Sequence, residues 1–217
     1  MSGRNPEDEF CIFHGGFKKI DIDLDNTINE KINRLIDNKQ EVFCIGYAIP
    51  FLSLRGKEIS KPLHFHDATI LIADFTDTVF ASEEAIAYFV NTSFEEASFE
   101  NVQFHARAIF TNSTFRRESK DQGYLHTWRE DYRLEYSYSG YANFNNAEFY
   151  DEANFYRAKF FSLVQFDNVK FFDVAEFAET EFHVEKRKLP FDNAQFHGKF
   201  YDERIWVSSE ITPSGTM

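Results

Sequence analysis

Residues 142–182 read ANFNNAEFYDEANFYRAKFFSLVQFDNVKFFDVAEFAETEF. The stretch divides into units of a small residue, a polar residue and Phe: Ala142-Asn143-Phe144, Ala147-Glu148-Phe149, Ala153-Asn154-Phe155, Ala158-Lys159-Phe160, then Val164-Gln165-Phe166, Val169-Lys170-Phe171, Ala175-Glu176-Phe177 and Thr180-Glu181-Phe182. Units start alternately five and six residues apart. The same unit runs from Leu63-His64-Phe65 to Ser113-Thr114-Phe115, with one longer spacing before Ala87, and returns at Leu189-Pro190-Phe191 and Ala194-Gln195-Phe196. There are 20 units; Phe holds the third place in 19, Ile70 being the exception, and Ala holds the first in 11.

This spacing decides the fold class. On a helix of 3.6 residues per turn, residues five apart sit about 140° apart, so the rings would form no stripe. Asn, Asp, Ser, Thr and Phe are also weak helix formers. A single long strand is excluded because the period is not two. A chain that turns a corner every five or six residues satisfies the pattern. The small residue and the Phe, two apart, then point inward from a short extended segment, and the remaining residues turn the corner and meet water. The 27 Phe residues, against two Met and two Trp, fit one pocket shape used many times, where ordinary cores mix shapes to pack densely.

With these units in view, the chain resembles the pentapeptide-repeat family, whose motif is a small residue, Asn or Asp, Leu or Phe, and two polar residues. The resemblance covers roughly residues 63–117 and 142–198. It implies an all-β solenoid: a right-handed, four-sided β-helix with four units per coil, hence about five coils. Two departures stand out. Six-residue units alternate with five, which predicts coils of about 22 residues with a bulged corner, and Phe almost fully replaces Leu.

The rest of the chain lacks the motif. Ile28, Ile32, Leu35 and Ile36 share a helix face, and Thr27 with Glu30 fits a capping box, so a helix is predicted near 28–37. Residues 41–49 read as a buried strand ended by Pro50. An open solenoid end exposes apolar rings and unpaired backbone, so residues 1–62 are read as an N-terminal α/β cap with one helix and one strand. Residues 63–117 are the first repeat tract, 118–141 an aromatic insert and 142–198 the second tract. Residues 199–217 are a C-terminal cap, carrying Phe200, Ile205 and Trp206, and a polar tail.

No catalytic constellation is present: Gly15-Gly16 stands alone, and there is no nucleophile elbow or His-Glu-x-x-His. The chain is therefore expected not to be an enzyme and to need no cofactor. Cys11 and His14 have metal-ligand spacing, and Cys44, His64 and His66 could complete a set. A zinc site wants four converging ligands, however, and His64 and His66 should both point outward around Phe65. No metal is expected. The alternating Asp21, Asp23 and Asp25 lack the later Gly and Glu of a calcium loop.

Net charge is −13 with pI near 5.0, which argues against binding nucleic acid or an anionic membrane directly. The acidic N-terminal residues are not expected to act as a secretory signal, and no apolar run reaches membrane-spanning length. Two cysteines fit a reducing compartment, so the cytoplasm is the expected location. The functional expectation is a protein–protein interaction or scaffold module. Within it the insert is the first candidate for a binding element, through Trp128, Arg129, Tyr132 and Arg133, types enriched in binding hot spots. A homodimer would join through a capped end. The alternative comes from the resemblance: some pentapeptide-repeat proteins bind type II topoisomerases by mimicking DNA. Mimicry needs a sustained acidic column, and tract 142–200 carries seven bases among ten acids.

Overall fold

A computed structural model describes residues 22–115, 142–161, 164–183 and 190–208. They form a parallel β-solenoid with one helix, α1 (Ile22–Asp37), at its N-terminal end. The first coil holds β1 (Val42–Phe43), β2 (Ala48–Ser53) and β3 (Glu58–Ile59). The second holds β4 (Leu63–His64), β5 (Thr69–Asp74) and β6 (Val79–Phe80), and the third β7 (Ala87–Tyr88), β8 (Ser93–Ser98) and β9 (Gln103–Phe104). Next come β10 (Ala108–Ile109) and β11 (Thr114–Phe115), then β12 (Ala142–Asn143) and β13 (Glu148–Phe149) beyond the insert. The coil after that has β14 (Ala153–Asn154), β15 (Lys159–Phe160), β16 (Val164–Gln165) and β17 (Lys170–Phe171). The last strands are β18 (Ala175–Glu176), β19 (Glu181–His183), β20 (Gln195–Phe196), β21 (Phe200–Tyr201) and β22 (Trp206–Ser208). The strands stack into sheets of seven, nine and six, all parallel. In the nine-stranded sheet each of β2, β5 and β8 spans two columns: Ser93–Phe94 pairs with β11, and Ala97–Ser98 with β12.

The Phe-bearing units make about five coils, as their number predicts, and every strand is short because each unit must turn. Their rings fill the interior. Successive coils stack them nearly parallel: Phe89 on Phe110 at 4.9 Å, Phe110 on Phe155 at 4.8 Å and Phe155 on Phe177 at 4.7 Å. These separations match the spacing of paired strands, so the backbone ladder sets the ring ladder. Between columns the rings meet edge to face, as at Phe144–Phe155 (5.5 Å, 84°), the geometry the ring quadrupole favours. Each buried Phe contributes about 2–3 kcal/mol of burial free energy. The Ala, Val, Thr or Ser beside the rings is buried in every unit from Ala68 to Thr180. The hydroxyls there are satisfied by the neighbouring coil: Thr78 Oγ1 donates to the Leu54 carbonyl (2.7 Å) and Thr180 Oγ1 to that of Phe155 (2.8 Å).

Corners of the five-residue units share one device. After Phe65, Phe89, Phe99, Phe144 and Phe166, the second residue takes positive φ: Asp67, Asn91, Asn101, Asn146 and Asn168, at 56–59°. Asn and Asp are the side chains that tolerate this region best. The Asn side chains then link coil to coil. Asn91 Nδ2 donates to Asp67 Oδ1 (2.9 Å) and Asn112 Nδ2 to Asn91 Oδ1 (3.1 Å). At the other such corner, Asn101 donates to Asp77 (2.9 Å), Asn146 to Asn101 (3.0 Å) and Asn168 to Asn146 (3.3 Å).

Two sequence readings change. The helix expected near 28–37 is present and extends further toward the N-terminus, beginning at Ile22. Ile28, Ile32 and Ile36 are its buried face. The run 41–49 is not one strand ended by Pro50. It turns at Gly46 (φ 72°), and β2 runs through Pro50, which a terminal strand tolerates because no outer ladder needs its N–H. Residues 42–61 are thus a coil in which Cys44, Ile49, Leu54 and Ile59 stand where Phe stands later. At the other end, Phe200–Tyr201 and Trp206–Ser208 extend the seven- and nine-stranded sheets by pairing with β18 and β19.

Candidate interaction surface

The middle residue of each unit faces out, so each column of strands aligns its middle residues in a row. On the seven-stranded sheet the row runs Phe43, His64, Tyr88, Ile109, Asn154 before the first charge, Glu176. The residues after the inward positions form a second row: Ile45, His66, Val90, Thr111 and Tyr156. Neither row has an acidic or basic side chain apart from its histidines over this length. Phe43 stacks on His64 (4.5 Å, 7°) and His64 on Tyr88 (4.7 Å, 11°), and His66 lies against both His64 (5.8 Å) and Tyr88 (5.4 Å). Phe43 is 55% and Ile45 50% exposed. Partial burial first, and the neighbouring His66 second, hold the His64 imidazole below its usual pKa, with Glu41 opposing; at neutral pH it is an uncharged ring.

Other faces are built differently. The six-stranded sheet shows Glu58, Val79, Gln103, Glu148, Lys170 and Gln195 in its row. There Lys170 donates to Glu148 across one coil (2.7 Å) and Tyr150 Oη donates to the same carboxylate (2.6 Å), which together hold Glu148 below the usual carboxylate range. Glu179 is gripped between Arg157 (2.6 Å) and Arg204 (3.1 Å), and Lys159 meets Glu181 (2.9 Å). A second aromatic ladder follows the six-stranded sheet at its corner: His105, Tyr150, Phe172 and His197, at 4.4, 4.7 and 5.2 Å.

The insert leaves the nine-stranded sheet between Phe115 and Ala142, at the corner where β8 carries Glu95 and Glu96. Trp128, Arg129, Tyr132 and Arg133 lie outside the described residues, as do Cys11 and His14. His64 and His66 sit in the outer rows, as expected from their places around Phe65. Cys44 is a buried free thiol whose pKa burial pushes up to about 12 against an opposing Lys31. Among the described residues no group of three or more His, Cys, Asp or Glu could hold a metal ion, and no helix is long and apolar enough to cross a membrane.

The sequence reading assigned the outward residues only to corners and water, and so did not find the uncharged face. Its residues come from five units of unequal spacing and become one surface only once the coils are stacked. The fold defines a class, the parallel β-solenoids with a stacked phenylalanine core. No family model, curated protein or solved structure matches the chain.

Proposed function

We propose that the chain is a pentapeptide-repeat β-helix, four-sided and cytoplasmic, that works as a non-catalytic protein-binding or scaffold module, and that a partner seats on the uncharged face of the seven-stranded sheet. The observation that carries this is the pair of rows Phe43–Asn154 and Ile45–Tyr156, mostly aromatic and aliphatic and without an acid, Lys or Arg, in a chain that is 27% charged. Contiguous apolar surface with a polar rim marks binding sites on soluble folds. The short β-backbone ladder makes the face rigid, so little entropy is lost on binding.

Mimicry of DNA finds less support. Its acids would have to stand in an unbroken column, whereas Glu148, Glu179 and Glu181 each neutralise a base one coil away.

Tyr88→Glu with Ile109→Glu tests the reading. Proteins captured from the source cell by the wild type should be lost with this variant and kept with Gln103→Glu on the six-stranded sheet. Capture that survives both changes but fails with Trp128→Ala and Arg133→Ala would move the binding role to the insert.

A further inference from the structure

The seven-stranded sheet presents an outer face on which this acidic chain can meet its own copy without opposing like charges. The net charge is −13, and a chain so charged repels a copy of itself. Outward rows elsewhere carry acids, Glu58 and Glu148 on the six-stranded sheet and Glu181 on the nine-stranded. The rows from Phe43 to Asn154 and from Ile45 to Tyr156 carry none. Exposed rings set the repeat along this face: Phe43 to His64 is 4.5 Å and His64 to Tyr88 4.7 Å. A partner that meshes with every coil must repeat at the same interval, about 4.8 Å. An α-helix, at about 5.4 Å per turn, would slip by about half a coil over five coils. A second solenoid of the same chain keeps step throughout.

The margins of the face point to how two copies would sit. Within each coil the chain enters the face through the two residues before the inward small residue and leaves it at the positive-φ corner. A two-fold axis parallel to the solenoid sets these two margins against each other, coil for coil. In the second coil the entering margin carries Lys61 and the leaving margin Asp67; in the fifth, Glu152 enters and Arg157 leaves. Arg107 and Asn112 flank the fourth coil, and Ile86 and Asn91 the third. Each charge therefore meets an opposite charge or a neutral group, and no like pair arises from Phe43 to Asn154. Turned end for end about the Tyr88 coil, the same faces would set Glu41 against Glu152.

We propose that the partner on this face is a second copy of the chain, side by side and parallel, about a two-fold axis running along the two solenoids. Phe43 then packs on Ile45 of the second copy, His64 on His66 and Tyr88 on Val90, so that one outer row fills against the other. Asp67 faces Lys61 of the second copy, and Arg157 faces Glu152. Lys61 and Arg157 also have partners within the chain, Glu84 and Glu179. The ion pairs between copies therefore set the orientation more than they add affinity. Five coils are about 24 Å long. A patch of that length and two side chains wide falls below the about 800 Å² per partner of stable complexes, so the dimer is weak and depends on concentration. The inference rests on the binding role proposed above and names the occupant of that face.

Sedimentation equilibrium of the purified chain tests it. The average mass should climb from monomer toward dimer between micromolar and millimolar concentration. Tyr88→Glu should keep the β spectrum and hold the chain monomeric, and Gln103→Glu, on the six-stranded sheet, should leave self-association unchanged. Charge reversal at low salt tests the orientation. Asp67→Lys alone and Lys61→Glu alone should each weaken self-association several-fold. An equimolar mixture of the two should recover it, because both ion pairs form again between unlike copies. A wild type that is monomeric at every concentration, self-association that survives Tyr88→Glu, or a mixture no stronger than its components would overturn the proposal. A monomeric wild type whose captured proteins are still lost with Tyr88→Glu and Ile109→Glu would remove the dimer and leave the binding role standing.

Discussion

The Phe110 and Phe155 rings lie 4.8 Å apart and within 1° of parallel, although the whole of 116–141 separates them in the chain. Phe115–Phe160 (4.7 Å) and Phe99–Phe144 (4.8 Å) carry two other stacks across the same point. The interior is therefore continuous where the sequence is interrupted. Replacing 116–141 by two residues, the joint that links Phe94 to Ala97, should keep a cooperative β unfolding transition with Tm changed by no more than about 4 °C, roughly 1 kcal/mol for a chain of this size. A non-cooperative melt would show that the insert is part of the core.

Phe166→Ala should cost about 3–5 kcal/mol in a urea titration, the range for truncating a core Phe. The ring is fully buried, 4.6 Å from Phe144 and edge-on to Phe177 at 5.7 Å. Asp167→Ala, on the adjoining corner, should cost less than about 1 kcal/mol. Equal costs would refute the inward and outward assignments.

Asn146 is at φ 59° and has bonds to both Asn101 and Asn168. Asn146→Gly loses the two side-chain bonds only. Asn146→Ala also places a Cβ in the left-handed region, and should be less stable than the glycine variant by about 1 kcal/mol. A more stable alanine variant would contradict the corner geometry.

His64 has a folded pKa below its unfolded value, so the unfolded chain binds the extra proton first as pH falls. Its stabilising contribution is full above the unfolded value of about 6.5 and is lost as pH falls through the lower folded value. Urea midpoints between pH 7.5 and 5 should therefore shift less for His64→Gln than for the wild type, with His66 and Glu41 present in both. Superimposable pH profiles would remove His64 from the account.

Dialysis against a strong chelator should leave the melting temperature unchanged, since Cys44 is packed in the core as a protonated thiol. A fall of ten degrees or more would reinstate metal ligation by Cys11 and His14.

What could be read from the sequence was whatever Phe marked. The 20 units located the inward rings and their coils because one side chain recurs at one spacing. The first coil escaped because Cys44, Ile49, Leu54 and Ile59 replace Phe, although they keep the five-residue interval. Its strand through Pro50 escaped because a proline ends most strands but not one whose outer side has no ladder. The outer face of the seven-stranded sheet could not be seen without the coils in register. Phe43, His64, Tyr88 and Ile109 are far apart in the chain, and nothing local marks them as neighbours. The insert's aromatic and basic residues remain what the sequence made them, candidates chosen by composition.

Coils built on one motif are nearly interchangeable, which leaves open how each finds its own neighbours. The positive-φ corners answer with an address. Down one corner the residues read Asp67, Asn91, Asn112, Arg157, Glu179, Arg204. Asp67 only accepts, Asn91 donates to Asp67 and accepts from Asn112, and Arg157 and Arg204 can donate only, both to Glu179. A coil that slipped past its neighbour would set donor against donor at Arg157 and Arg204, or acceptor against acceptor. The order of the stack is thus written on its outside, in side chains that the phenylalanine core never touches.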